Sequence, residues 1–237
     1  MKEFFTYNGI SSADFGCYVA SSNQFDAPAR DVESIEIPGR NGALTIDNGR
    51  YLNQTLTYSM YVRNDIRTKI MGFRNALAKN RGYQRLEDSY NPTEFYLARY
   101  IDGFEVKQSD RYGAGFSVTF DRKPQRFLKS GDLTFGVDAY SFTADGSILN
   151  ETDQIAKPLL RVYGTGTFTI NGSSMTISSA NSYTDIDCEL MDAYKGTTNC
   201  NGNISGSFPT LSPGDNTIDL PASGISKIEI IPRWWRL

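Results

Sequence analysis

The sequence predicts a mainly β protein in two parts: an N-terminal β-rich domain with one packed helix over residues 1–130, and a C-terminal antiparallel β-sandwich over residues 131–237. Three observations carry this. Only one stretch has a helical period, turn signals of the Asn-Gly and Gly-Thr-Gly kind separate runs that alternate like strands, and the charge changes sign between the parts. Residues 1–130 hold 18 Lys and Arg against 15 Asp and Glu, or +3; residues 131–237 hold 6 against 12, or −6, which together give the net −3 of the whole chain.

The first part opens with alternating runs around "SIEIPGRNGALTIDNGRYLNQTLTYSMYV", where Pro38-Gly39, Asn41-Gly42 and Asn48-Gly49 crowd twelve residues and predict repeated reversal of the chain. The helix follows. Ile66, Ile70, Phe73 and Leu77 recur on one face, with Asn64 as expected N-cap, Lys79 and Arg81 in the last turn and Gly82 at the C-terminal cap. "YQRLED" and "TEFYLARYIDGFEVKQ" read as strands, the second as a hairpin about Asp102-Gly103. "YGAGFSVTFD" alternates, with Tyr112, Phe116, Val118 and Phe120 on one side and Gly113, Gly115, Ser117 and Thr119 on the other.

"RKPQRFLKSGD", rich in basic residues, marks the expected boundary. Beyond it no helical period appears. "KPLLRVYGTGTFTINGSSMTISS" contains a Gly-Thr-Gly reversal and an Asn171-Gly172 hairpin turn, and "KIEII" is a last strand ended by Pro232.

Composition excludes much chemistry. The chain has no histidine, which removes Ser-His-Asp and Cys-His nucleophile systems, the usual zinc-hydrolase ligand sets and any imidazole base. Cys17, Cys188 and Cys200 lack C-x-x-C spacing and read as reduced thiols, with a Cys188–Cys200 bridge as the less favoured alternative. No metal or cofactor is expected. No apolar run is long enough for a membrane span, and the N-terminus lacks the apolar core of a secretory signal, so assembly in a cytoplasm is the default expectation.

Two constellations are open to a chemical reading. Asp185, Asp187 and Glu189 alternate along one strand face and offer the carboxylates of a glycoside hydrolase, set against a solvated strand face or a weak cation site. Trp234 and Trp235, with Tyr183, offer a sugar-stacking platform and hence a carbohydrate-binding module; the alternative places one Trp in the core with Arg233 and Arg236 stacked nearby. The glycines of "YGTGTFTINGSS" precede no helix, so they form no phosphate loop.

The order of "IPGRNGAL", the helix, "GYQRLEDSYNPTEFYLARY" and "GAGFSVTFDRKPQRF" resembles the N-terminal domain of the siphophage distal tail protein family. "KPLLRVYGTGTFTING", "TDIDCELMDAYK" and "NGNISGSFPTLSPGDNTI" are similar to that family's C-terminal, galectin-like sandwich. The most specific pieces are Pro38-Gly39-Arg40 with Gly42, "FDRKPQRF" and "FPTLSPGDN". The resemblance implies a non-enzymatic virion protein at the distal end of the tail. In it, six N-terminal domains close a ring around a channel that DNA only passes through, next to a tail tube protein and a tail-tip protein. The C-terminal domains would then carry a receptor-binding protein. On this reading Pro38, Gly39, Arg40, Asn41, Gly42 and Arg50 belong to a hairpin, Ile37 to Arg50, that contacts a neighbouring subunit or the next tail ring, with Arg40 and Arg50 supplying forked hydrogen bonds to carboxylates there; the alternative is an exposed hairpin with no partner.

Overall fold

The computed structural model describes residues 2–108, 112–180 and 182–237. The chain divides into two units, one ending at Arg126 that also takes in Leu237, and a second, Phe127–Arg236.

In the first unit the strands are β1 (Phe5–Tyr7), β2 (Ile10–Ser11), β3 (Cys17–Ser22), β4 (Arg30–Ile35), β5 (Leu44–Tyr51), β6 (Gln54–Arg63), β7 (Gln84–Asp88), β8 (Glu94–Tyr100), β9 (Val106–Gln108) and β10 (Gly113–Leu128), with helix α1 at Ile66–Ala78. The main sheet runs β2-β1-β7-β8-β10-β6-β3, with β9 also on β10; β4 and β5 form a separate two-stranded ribbon. The long β6–β10 pair sets the core. Its register places Phe116 opposite Met60, Val118 opposite Tyr58 and Phe120 opposite Leu56, so one face of both strands is apolar until it ends in the polar pair Arg122 and Gln54. All six apolar residues are buried, together with Phe5, Tyr7, Leu86 and Tyr96. The helix seals this face through Phe73 and Leu77, while Ile66 and Ile70 pack at its margin. Phe5 stacks on Tyr58 with ring centroids 4.8 Å apart and meets Phe120 edge-on at 5.4 Å.

Local signals at the helix ends mislead. The residue preceding the helix is Asp65, in left-handed conformation and with no side-chain cap, and Asn64 is one position too early. The helix stops at Ala78, so Gly82 lies outside its C-terminal cap. Asp102-Gly103 does not turn a hairpin either: β9 pairs with β10 rather than returning along β8. Tyr112 sits just before β10 and is exposed, leaving Phe116, Val118 and Phe120 as the buried members of that alternation.

The second unit comprises β11 (Tyr140–Phe142), β12 (Gly146–Asn150), β13 (Leu159–Gly164), β14 (Gly166–Ile170), β15 (Ser173–Ile177), β16 (Thr184–Asp187), β17 (Asp192–Lys195), β18 (Thr198–Asn199), β19 (Ile204–Gly206), β20 (Gly214–Asp219), β21 (Ile225–Ile231) and β22 (Trp235–Arg236). A six-stranded sheet, β11-β21-β13-β16-β17-β18, faces a five-stranded one, β12-β20-β14-β15-β19. Leu160, Val162, Ile186, Ile228 and Ile230 from the first meet Ile148, Phe168, Ile170, Met175 and Ile218 from the second in one core. Asn171-Gly172 forms the two-residue hairpin turn its sequence predicts, both residues with positive φ between Ile170 and its partner Ser173. Gly164-Thr165-Gly166 is instead a crossing between the two sheets, since β13 and β14 lie in different ones. Among the described residues no helix is long and apolar enough to cross a membrane.

Candidate functional site

The ribbon β4–β5 is the first candidate. It is built by cross-strand pairs Val32↔Asp47, Glu33↔Ile46, Ser34↔Thr45 and Ile35↔Leu44. Directly paired residues share a face, so Ile35, Leu44 and Ile46 lie on one side with Glu33, while Val32, Ser34, Thr45 and Asp47 lie on the other. Every residue from 32 to 50 is exposed. Ile35, Ile37, Leu44 and Ile46 are 44%, 39%, 46% and 43% accessible, so the ribbon carries an apolar face that belongs to neither buried core among the described residues.

Pro38, Gly39, Arg40, Asn41 and Gly42 form the tip between the strands, where the Arg40 N–H donates to the Ile37 carbonyl at 3.1 Å. Arg50 is elsewhere. Arg30 pairs with Tyr51 and Val32 with Asp47, so Asp31 alone stands opposite Asn48, Gly49 and Arg50: Asn48-Gly49 is a bulge inside β5 and not a chain reversal. Asp47 stabilises it by accepting from the Gly49 N–H at 2.8 Å and from Arg30 at 2.9 Å. Within the bulge Arg50 Nε donates to Asp31 Oδ2 at 2.6 Å, and this hydrogen bond holds the Asp31 carboxyl below its ordinary range. Arg50 thus has one partner in its own hairpin, through Nε, and is otherwise exposed, and Arg40 is the arginine at the tip with no ion pair among the described residues.

The ribbon's root is held by polar contacts. Arg122, 2% exposed, donates through Nη2 to the carbonyls of Gln24 and Asp26 and to Gln54 Oε1, and lies 4.6 Å over the Tyr96 ring. Asn23 ties the same segment to β6 by donating to the Thr55 carbonyl and accepting from the Thr57 N–H.

The acidic strand is a structural device. Asp185 and Asp187 are buried, not solvated. Arg161 forks onto Asp185 at 2.6 and 2.9 Å, and Arg233 forks onto Asp187 at 2.8 Å twice. Burial pushes the Asp187 carboxyl up, but Arg233 and the N–H groups of Leu190 and Glu189 outweigh it and hold the group below its ordinary range. Glu189 lies outside on the surface, 3.3 Å from Lys157. Both buried carboxylates are thus paired with arginine.

The aromatic platform is not assembled. Trp234 is 4% exposed in the sandwich core, and Trp235 donates its indole N–H to the Ile155 carbonyl. Tyr183 lies on the outer side of the six-stranded sheet under Arg161 and Lys195, at 4.3 and 4.8 Å. Cys17, Cys188 and Cys200 are free thiols; burial pushes Cys188 up to about 12 and Cys17 to about 11. Among the described residues no group of three His, Cys, Asp or Glu could hold a metal ion.

Sequence patterning points to the tip and misses the apolar face. The signal for that face is present as "SIEI" and "ALTI", two alternating runs that become one face only once the register is known.

No protein-family profile matches the chain, and no curated protein matches it in sequence. Among solved structures it is similar to SPP1 Dit (gp 19.1), described as a paradigm of the hub adsorption apparatus in phages infecting Gram-positive bacteria, at 13% identity and a TM-score of 0.74, covering 100% of both chains. At that identity the likeness speaks to the fold, and it does so over the whole length: the chain has the siphophage distal tail protein fold.

Proposed function

We propose that this chain is a structural virion protein, the distal tail hub of a siphophage, in which six copies close a ring by laying the β4–β5 hairpin of each onto the next. The observation that carries the reading is the exposed apolar face Ile35, Ile37, Leu44 and Ile46 on a ribbon that, among the described residues, pairs with no other strand. A two-stranded ribbon is marginal in water by itself, and an exposed apolar one invites association. The full-length likeness to a hub protein supports reading that association as a ring.

Energetics favour a closed assembly over a chain of loose pairs. Burying the exposed remainder of four aliphatic side chains is worth about 1 kcal/mol each, which does not exceed the roughly 4–15 kcal/mol that association costs. One such contact is weak. Ring closure adds a last contact without the entropy of bringing in another copy, so the ring forms as a unit.

In this role the second unit serves as the platform for receptor-binding and other tail proteins, the ring adjoins the tail tube and tip proteins, and DNA passes through the channel without being held. The protein is assembled in the host cytoplasm and acts without cofactor or catalysis. Nothing in the placement of Tyr183, Trp234 and Trp235 favours a glycan platform as a second reading.

The test is a charge placed on the apolar face. Ile35→Asp with Leu44→Asp puts like charges on directly paired residues and loosens the ribbon itself, so Ile35→Ser with Leu44→Ser is made beside it; both should leave the unfolding of the two cores unchanged and convert rings to monomers in native mass spectrometry. Rings that persist in these variants contradict the proposal.

A further inference from the structure

A ring of identical copies needs, beside the donor hairpin, an acceptor of different shape on the same unit. We infer that the acceptor is the groove rimmed by Phe25 and Tyr90 at the β3 edge of the main sheet, and that its occupant is the hairpin of a second copy of this chain. The inference rests on the ring reading and deepens it by naming the surface that receives the hairpin.

Four observations converge on this groove. Phe25 and Tyr90 are 66% and 60% exposed, yet their rings meet edge-to-face at 5.7 Å, an aromatic pair held out in solvent. Together with Val19 and Ala20 they line a groove of about 280 Å³. Val19 and Ala20 belong to β3, which breaks register with β6 between Val19 and Ser21, and whose other side is bridged only at Val19, by the N–H donated to the Glu3 carbonyl at 2.8 Å. The groove also carries the Glu3 carboxylate, which accepts from Ser89 Oγ, and no cation among its lining residues; Asp88 lies buried at its floor, bonded to the Tyr58 hydroxyl and the Asn91 N–H. The hairpin brings the opposite sign: Arg40 at its tip has no ion pair among the described residues, whereas Arg30 and Arg50 are already paired with Asp47 and Asp31. Apolar face thus meets aromatic rim, and the tip arginine meets the Glu3 carboxylate.

A complementation experiment tests this. Two variants are made in the full chain, one with the hairpin face charged (Ile35→Asp, Leu44→Asp) and one with the groove charged (Phe25→Asp, Tyr90→Asp). A milder groove variant, Tyr90→Ser, guards against misfolding, and circular dichroism must match the unaltered chain. Each double variant alone should be monomeric. Mixed, the first still offers an intact groove and the second an intact hairpin, but one such contact is weak, so native mass spectrometry should show no ring, and heterodimers only at the highest concentrations, where neither variant alone dimerises. The Tyr90→Ser chain should need at least a fivefold higher concentration to form rings. If the unaltered chain forms rings and both groove variants form them at the same concentration, the groove is overturned while the ring reading stands. If the unaltered chain stays monomeric at every concentration, the ring reading fails and the groove with it.

Discussion

Arg233 and Asp187 form a forked ion pair, Nη1 to Oδ1 and Nη2 to Oδ2 both at 2.8 Å, although 46 residues separate them in the chain. The same Asp187 Oδ1 accepts the N–H groups of Glu189 and Leu190, so one carboxylate fixes both the end of β16 and the start of the following turn.

Asp187→Asn should therefore act on stability. Removing one partner of a buried pair costs about 3–5 kcal/mol, discounted to about 2–4 kcal/mol because the Arg233 side chain is 31% exposed. Urea unfolding followed by tryptophan fluorescence measures it, since both tryptophans, Trp234 and Trp235, lie in the second unit. A midpoint unchanged from the parent would contradict the structural role assigned to Asp187.

Acid should weaken the second unit in a defined window. Burial raises Asp187 and Glu229, but for Asp187 the Arg233 pair and for Glu229 the Lys227 and Tyr163 hydrogen bonds prevail, so both fold with pKa values below their ordinary ones. Their stabilisation is complete above pH of about 5 and is lost as pH falls through about 4 and below. Asp88 in the first unit goes the other way, because burial raises it: it is destabilising once ionised, and acidification relieves that cost. Tryptophan-monitored stability should fall between pH of about 5 and about 3, and the fall should be smaller in Asp187→Asn.

The crossing between the sandwich sheets is sterically tight. A Cβ on Gly164 would stand 2.0 Å from the Gly224 carbonyl oxygen, and one on Gly224 would stand 2.2 Å from the Thr165 oxygen, with both residues at φ near +100°. Gly164→Ala and Gly224→Ala should each cost about 2–4 kcal/mol in the same unfolding assay. The double variant should not recover, because neither methyl makes room for the other.

Arg122 should govern the hairpin's root rather than the stability of the sheet. Its guanidinium is buried without a carboxylate partner, and its Nε and Nη1 have no hydrogen bond. Arg122→Met thus removes a desolvation cost along with the bonds to Gln24, Asp26 and Gln54. These offset to within about 2 kcal/mol. Hydrogen exchange should nonetheless speed up at the Leu52 amide, which donates to Ala29 at the base of the ribbon.

Elements whose signals are local were legible in the sequence. The helix face of Phe73 and Leu77, the Asn171-Gly172 hairpin and the alternation of Phe116, Val118 and Phe120 all follow from neighbours a few residues apart. What distant residues decide was not legible. Asp185 and Asp187 read as a solvated face because Arg161 and Arg233, 24 and 46 residues away, reach them only through the sheet. Asn48-Gly49 read as a turn because a bulge uses the same residues, and only the partner strand distinguishes the two. The apolar face of the hairpin stayed hidden for the same reason: Ile35 and Leu44 become neighbours through register.

The absolute mass of the purified chain across a concentration series, with images of the assembled particle, tests the central claim most directly. Six copies or a multiple of six in an annular particle, lost when Ile35 and Leu44 are both replaced by Asp, is the expected result. A monomer at every concentration, or rings indifferent to those two substitutions, would contradict it.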